Sequence, residues 1–146
     1  FRVAASYNDA RYKDFKNGAL PNEDNYSGAP AYKDFTGQTL PGASKWAFNV
    51  GGDYRRPELG DKEFHASFNT AYYSRFNSDN SLSSYAWIPD YSTTDLAIGL
   101  GKLDKSYDVS LLVKNAFGDS TPLSKTWNGY TPAVPRWVGV MFTGKL

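Results

Sequence analysis

The sequence predicts an all-β protein whose antiparallel strands carry one apolar and one polar face. Two observations lead to this fold class. Apolar side chains recur at every second position along most of the chain, which is the period of a β-strand. Aromatic residues make up 16% of the 146 residues, although the mean hydropathy is only −0.56. Carbohydrate-binding sandwiches and outer-membrane barrels both combine many aromatic residues with low mean hydropathy.

The composition excludes several classes of function. The 16 basic and 15 acidic residues nearly cancel, so the sequence indicates no nucleic-acid partner. Because there is no cysteine and only one histidine, His65, the sequence predicts no metal site, no cofactor and no catalytic Ser–His pair. The segment NSDNS (Asn77–Ser81) offers oxygen atoms but lacks the glycine and the distal glutamate of a calcium-binding loop. We therefore expect no enzymatic activity.

The alternation of apolar and polar residues divides the chain into six predicted strands. In the second of them, Trp46, Phe48 and Val50 fall on one face, while Ala47 and Asn49 fall on the other. The remaining strands repeat this pattern. The predicted strands span Phe1–Asn8, Lys45–Arg55, Phe64–Arg75, Asp95–Gly101, Tyr107–Lys114 and Trp137–Leu146.

The connections between these strands alternate in length. Those at 17–43, 77–92 and 117–134 are long and polar, whereas those at 57–62 and 103–106 are short. Strands of about ten residues with short turns at one end and long loops at the other are typical of transmembrane β-barrels. Aromatic residues near strand ends are expected to form belts at the membrane interfaces, namely Trp46, Tyr54, Phe64, Tyr72, Tyr107 and Trp137.

Two other architectures fit parts of the pattern. A soluble β-sandwich that binds carbohydrate would turn the apolar faces of two sheets toward each other. Polar residues such as Asn49, Asp53 and Asp95 on the other face favour a barrel with a wet lumen over this sandwich. A complete small barrel of about eight strands would need two further strands, for which only the loop 17–43 offers space.

Three stretches resemble the C-terminal part of the TonB-dependent receptors, the large outer-membrane transporters of Gram-negative bacteria. DFTGQTLPGASKWAFNVGGDYRR (Asp34–Arg56) resembles a recurrent strand opening in that family. LLVKNAFGDS (Leu111–Ser120) resembles the penultimate strand, and PRWVGVMFTGKL (Pro135–Leu146) resembles the final strand. The order of the three stretches also matches. The chain departs from the family at Leu146, where a terminal aromatic residue is usual.

The resemblance implies a plug domain followed by a barrel of about 22 strands. Residues 1–146 would form the C-terminal six strands of that barrel, without the plug. Because an open sheet in lipid leaves unpaired amides at both edges, the first and last strands are expected to pair with strands of the same or a separate chain. The family's last strand ends in the periplasm, which places the three long loops outside the cell. Implied partners are outer-membrane lipid, the TonB energy-coupling complex acting through the plug, and the barrel-assembly machinery acting through the last strand.

The implied function is the binding and active import of a scarce substrate, such as a siderophore, a vitamin or a sugar, across the outer membrane. Aromatic residues of the long loops are candidates for stacking on the substrate, namely Tyr26, Tyr32, Trp87, Trp127 and Tyr130, with Phe35 and Tyr91 as further exposed-looking rings. Of these, Tyr91 is also a candidate for the outer belt. Candidates for lumen contacts with plug or ligand are His65, Asn69, Tyr73, Arg75, Asp95 and Lys114. Alternatively, the loop aromatics pack loop against loop and the lumen residues form ladders along the wall.

Overall fold

The computed structural model describes residues 1–58 and 60–145 and contains one six-stranded antiparallel sheet. Its strands follow one another in chain order, each paired with the next. They are β1 (Arg2–Tyr7), β2 (Trp46–Pro57), β3 (Lys62–Tyr73), β6 (Tyr91–Lys102), β7 (Tyr107–Lys114) and β10 (Trp137–Gly144). Two short pairs lie in the loops, β4 (Phe76–Asn77) with β5 (Trp87–Ile88) and β8 (Ser124–Lys125) with β9 (Tyr130–Thr131). Single 3₁₀ turns occupy Asn22–Asp24 and Ser84–Ala86.

The strand register confirms the predicted alternation of faces. Directly opposed residues share a face in an antiparallel pair, and Val3 lies opposite Val50, while Phe48 lies opposite Tyr72. The same matching continues across the sheet to Val140, which lies opposite Leu111. We call this side the apolar face and the opposite side the polar face. The predicted all-β antiparallel fold is therefore confirmed.

The apolar face is uncovered. Ile98 is 48% exposed, Leu111 is 42% exposed and Val140 is 73% exposed, although all three lie on long central or terminal strands. The small buried core sits elsewhere, among the loops, where Phe35, Ala86 and Ile88 are enclosed. A continuous apolar surface of this kind requires a nonpolar environment or a partner, because water does not stabilise it.

Some strand boundaries differ from the prediction. β6 begins at Tyr91 rather than Asp95, since the aromatic and β-branched run after Pro89 and Asp90 favours extended backbone. β2 extends to Pro57, so the turn that follows is shorter than 57–62. Leu59 and Leu146 lie outside the described residues. The sequence predicts that the last strand ends at Leu146, and the structure describes the chain only to Lys145.

The first long loop folds back on itself without adding strands to the sheet. Bridges join Arg11 to Thr39 and Gly18 to Lys33. Phe35, which the sequence suggests is exposed, is instead only 2% exposed, because its ring lies against Gly18. A Cβ on Gly18 would lie 2.3 Å from that ring, so only glycine permits the contact. Within the described residues, the loop does not supply the two strands that an eight-stranded barrel would need.

Aromatic residues cluster at both ends of the apolar face. Tyr7, Trp46, Phe48 and Tyr72 form a connected group at the end that carries the long loops, with successive ring centres 4.6–5.9 Å apart. We call this group the upper aromatic band. At the end with the short turns, Tyr54 lies edge-on to Phe64, and Tyr107 is paired opposite Gly144. No helix among the described residues is long and apolar enough to cross a membrane.

Two aromatic residues assigned to the belts lie on the other side of the sheet. Trp137 is paired opposite Lys114 on the polar face, and its indole covers Gly139. Tyr91 is paired opposite Tyr73 on the polar face, with ring centres 5.4 Å apart. The assignment of Trp137 and Tyr91 to lipid-facing belts is therefore wrong. It rested on their closeness to strand ends, whereas the face of a residue is set by its odd or even position along the strand.

Candidate functional site: the polar face and the loop cluster

The polar face brings together most of the predicted polar residues. His65, Asn69 and Tyr73 project from β3 on this face, and Asn69 lies directly opposite Asp95 on β6. Lys114 on β7 donates to Asp95 Oδ2 at 2.7 Å. Five of the six residues thus form one polar wall.

Arg75, which the alternation assigns to the polar face, lies instead two residues beyond the end of β3. Its guanidinium carbon lies 4.5 Å from the centre of the Trp87 ring in the second long loop. A cation over an indole face is attracted by the ring quadrupole. Arg75 therefore belongs to the loop region, where it holds Trp87.

A cross-strand cluster occupies the polar face near the short turns. His65 Nε2 lies 2.6 Å from Asp108 Oδ2, and the Ser110 hydroxyl donates to Asp108 Oδ1 at 2.6 Å. His65 reaches Asp108 across β6 because Gly99 and Gly101 lie between them. A Cβ at Gly99 would lie 2.4 Å from the imidazole and 2.6 Å from Ser110 Oγ, and one at Gly101 would lie 2.6 Å from Asp108 Oδ2.

The order of groups in this cluster differs from that of a nucleophilic triad. In a catalytic triad the imidazole lies between the serine and the carboxylate and accepts the serine proton. Here the carboxylate of Asp108 lies between Ser110 and His65 and bonds to both. The arrangement orients side chains and does not activate the hydroxyl. Sequence reasoning missed the cluster, and its only signal is the pair of small residues, Gly99 and Gly101, on the polar face.

The three long loops are joined into one loop cluster (residues 8–45, 74–90 and 115–136). Glu23 of the first loop accepts hydrogen bonds from Ser83 Oγ at 3.0 Å, from Ser84 N at 2.6 Å and from Ser84 Oγ at 3.1 Å. Burial acts to raise the pKa of Glu23, but the hydrogen bonds from its own backbone, Ser84 and Ser83 outweigh it, so the pKa lies below its usual value. The ionised carboxylate therefore clamps the first loop to the second.

The second loop is also tied to the third. The Ser78 hydroxyl donates to the Lys125 carbonyl at 2.7 Å and accepts from the Lys125 amide at 2.8 Å. In the NSDNS segment, Asn77 Oδ1 accepts from the Asp79 amide and Asp79 Oδ1 accepts from the Ser81 amide. These oxygens serve local turns. Among residues 1–58 and 60–145, no group of three or more potential ligands is placed to hold a metal ion.

The candidate loop aromatics fall into two groups. Tyr26, Tyr32 and Tyr130 are largely exposed on the loop cluster. Trp127 meets Tyr85 edge-on with ring centres 5.1 Å apart, and Trp87 lies under Arg75. Both tryptophans still expose about two fifths of their surface (42% and 41%). The structure thus leaves all five accessible, while two of them also join parts of the loops. Tyr85 is an aromatic residue of this surface that the sequence did not single out.

The third loop begins in a turn fixed by Asn115. This residue has a left-handed backbone with φ of 48° and is buried, a conformation that asparagine tolerates better than most residues. Its side-chain amide donates to the carbonyls of Asp119 at 2.8 Å and Val134 at 2.9 Å, and its Oδ1 accepts from the Asp119 amide at 2.9 Å. One side chain therefore holds both ends of the third loop.

A cleft of about 480 Å³ lies on the polar face directly below the third loop. The stacked rings of Tyr73 and Tyr91 form part of its wall, together with Thr93, Asp119 and Val134. Aromatic faces beside a few polar groups are typical of small-molecule sites. This cleft gives the loop end of the polar wall room for a ligand, and a further cleft of about 570 Å³ lies beside His65 and Asp108 near the short turns.

Comparison with known proteins adds one match. Residues 1–116 match the family model described as TonB dependent receptor-like, beta-barrel. Neither the curated proteins nor the solved structures include a match to this chain.

Proposed function

The chain belongs to the TonB-dependent receptor β-barrel family, and we propose that residues 1–146 form barrel wall, extracellular loops and the closing strand of a receptor that actively imports a scarce substrate. The family is one of outer-membrane receptors and transporters, not of enzymes. The uncovered apolar face opposite a polar face is the observation that carries the proposal. Lipid on one side and a wet lumen on the other stabilise this arrangement.

The proposal includes closure of the barrel by strands outside this chain. β1 and β10 are the edges of the described sheet, and each has a neighbour on one side only. Unpaired strand amides are costly in lipid. Both edges therefore pair with further strands, of the same or a separate chain, and β10 is the segment presented to the barrel-assembly machinery.

We place the loop cluster outside the cell and the short turns in the periplasm. In this orientation the cleft at Tyr73 and Tyr91 opens toward incoming substrate below the third loop. The exposed rings of Tyr26, Tyr32, Trp87, Trp127 and Tyr130 contribute stacking surfaces above it. The wall of His65, Asn69, Asp95 and Lys114 faces the plug, through which the TonB complex supplies energy.

The test is the behaviour of the protein in isolated outer membranes. We expect the chain within a polypeptide or complex of several hundred residues that remains in the membrane fraction and changes electrophoretic mobility on boiling. Recovery in the soluble fraction, with no change of mobility on boiling, would contradict the proposal and favour the carbohydrate-binding sandwich. Substrate contact is tested separately by uptake assays on Tyr73→Ala and Tyr130→Ala variants, with the apolar-face variant Tyr54→Ala, near the short turns, as the matched control.

A further inference from the structure

A second cleft, of about 570 Å³, opens between the first and second long loops. Its lining includes Arg11, Lys45 and Arg75 together with the indoles of Trp46 and Trp87. Trp87 also belongs to the exposed rings proposed to stack on substrate, whereas Lys45 and Arg75 are not assigned to substrate binding.

The cleft carries an excess of positive charge. Arg11 is neutralised by Asp9, which lies in the same lining, with Arg11 Nε 2.9 Å from Asp9 Oδ1. Neither Lys45 nor Arg75 forms an ion pair with any residue that the structure describes. Two uncompensated cations at one cleft are suited to an anion.

Both cations are held over aromatic rings. Lys45 Nζ lies 5.6 Å from the centre of the Tyr7 ring, and the Arg75 guanidinium lies 4.5 Å from the centre of the Trp87 ring. A cation held in this way keeps its charge and its hydrogen-bond donors. The rings therefore position the two charges without neutralising them.

The position of the cleft identifies the source of the anion. Trp46 lines the cleft and also belongs to the upper aromatic band, where it contacts Tyr7 and Phe48. Aromatic bands of membrane proteins lie at the level of the lipid headgroups. The cleft is thus continuous with the lipid-facing surface at that level, where basic side chains attract anionic headgroups.

We propose that this cleft binds a phosphate group carried by a lipid of the outer leaflet, with Lys45 and Arg75 supplying the charge. The planar guanidinium of Arg75 matches two phosphate oxygens, and Lys45 contributes a point charge. This inference rests on the proposed function, because the membrane level of the cleft follows from the barrel and its orientation.

The experiment uses the intact receptor that contains this chain, purified in detergent after its outer-membrane location and heat-dependent mobility are established. Binding of bisphosphorylated lipid A and of its dephosphorylated form, each in mixed micelles, is measured by native mass spectrometry. The variant is Lys45→Gln/Arg75→Gln, and the matched control is Arg56→Gln/Lys62→Gln, which removes the same charges near the opposite end of the sheet. Inorganic phosphate serves as the water-soluble competitor.

We expect the cleft variant to bind the bisphosphorylated lipid about tenfold more weakly or worse, with the control variant close to the unmodified receptor. Binding of the dephosphorylated lipid should not differ among the three proteins. Equal losses in both variants, or equal binding of both lipids by the unmodified receptor, would overturn the inference. Competition by millimolar inorganic phosphate without a lipid preference would assign the cleft to a soluble anion and also overturn it.

A single-charge variant and the location of the receptor separate failure of the lipid site from failure of the proposed function. Lys45→Glu alone tests the charge without touching the Arg75–Trp87 contact, and it should also weaken binding of the bisphosphorylated lipid. If the receptor is absent from the outer membrane, the proposed function fails. If it is present there and shows no phosphate preference, only the lipid site fails.

Discussion

His65 and Asp108 meet across an intervening strand, with imidazole Nε2 2.6 Å from carboxylate Oδ2. They lie on β3 and β7, and the strand between them, β6, contributes Gly99 at the crossing point. The contact therefore depends on a residue that takes no part in it.

Gly99→Ala is expected to break this contact. The new Cβ would lie 2.4 Å from the imidazole of His65, so His65 must move, and we expect a loss of about 1–3 kcal/mol of stability. The measurement is the temperature at which the barrel loses its heat-dependent mobility. Gly129→Ala is the control, because its Cβ would approach only Thr126 Oγ1, at 3.7 Å. Equal melting temperatures for both variants would contradict the role of Gly99.

Asn115→Ala is expected to loosen the third loop. It removes three hydrogen bonds that join Asn115 to Asp119 and Val134, which amounts to about 1–3 kcal/mol of local stability. Trypsin should then cleave after Lys125 faster in membrane preparations. Asn80→Ala, in the second loop, should not change the rate. If Asn115→Gly, which keeps the left-handed backbone, is cleaved as slowly as the unmodified protein, the side-chain bonds do not hold the loop.

The Glu23 clamp should depend on pH. Because the pKa of Glu23 is lowered in the folded state, the clamp is fully present above its ordinary value of 4.5 and is lost as pH falls through the lowered value. Hydrogen exchange at the Ser84 amide, expressed relative to its intrinsic rate, should show protection disappearing in that acidic range. Glu23→Gln should reduce protection at neutral pH, whereas Glu58→Gln in a short turn should not. Unchanged protection of Ser84 in acid would contradict the clamp.

Leu111 and Leu112 provide an internal comparison, since they are adjacent, identical in type and on opposite faces. Leu111→Arg places a charge on the apolar face and should cost about 2–4 kcal/mol if that face meets the middle of the membrane. Leu112→Arg enters the polar face and should cost much less. The amount of folded, heat-modifiable receptor in the outer membrane measures the difference. Equal yields of the two variants would argue against a lipid-facing surface.

The sequence was sufficient for the strands and their faces because alternation is local and repeats over each strand. It placed Val50, Leu96 and Val113 on the correct face without any knowledge of their partners. The assignment of Trp137 and Tyr91 to the membrane belts was wrong, because it rested on their closeness to a strand end and not on which face their positions in the alternation give them.

The site could be predicted only in part. The pairing of His65 with Asp108 joins residues 43 positions apart, and no local pattern encodes that distance. The Glu23–Ser84 clamp likewise depends on how two loops without regular structure meet. Both contacts are tertiary, and the periodicity that predicts strands carries no information about them.

The most direct test of the account uses single cysteines at positions 111 and 112, which is convenient because this chain contains no cysteine. Each is labelled with a nitroxide in the intact receptor in a lipid bilayer, and its collision rates with oxygen and with a water-soluble nickel complex are compared. If the apolar face meets lipid, the label at 111 collides mainly with oxygen, which concentrates in lipid, and the label at 112 collides mainly with the nickel complex. Access of the nickel complex to position 111 would contradict a lipid-facing apolar surface and, with it, the barrel.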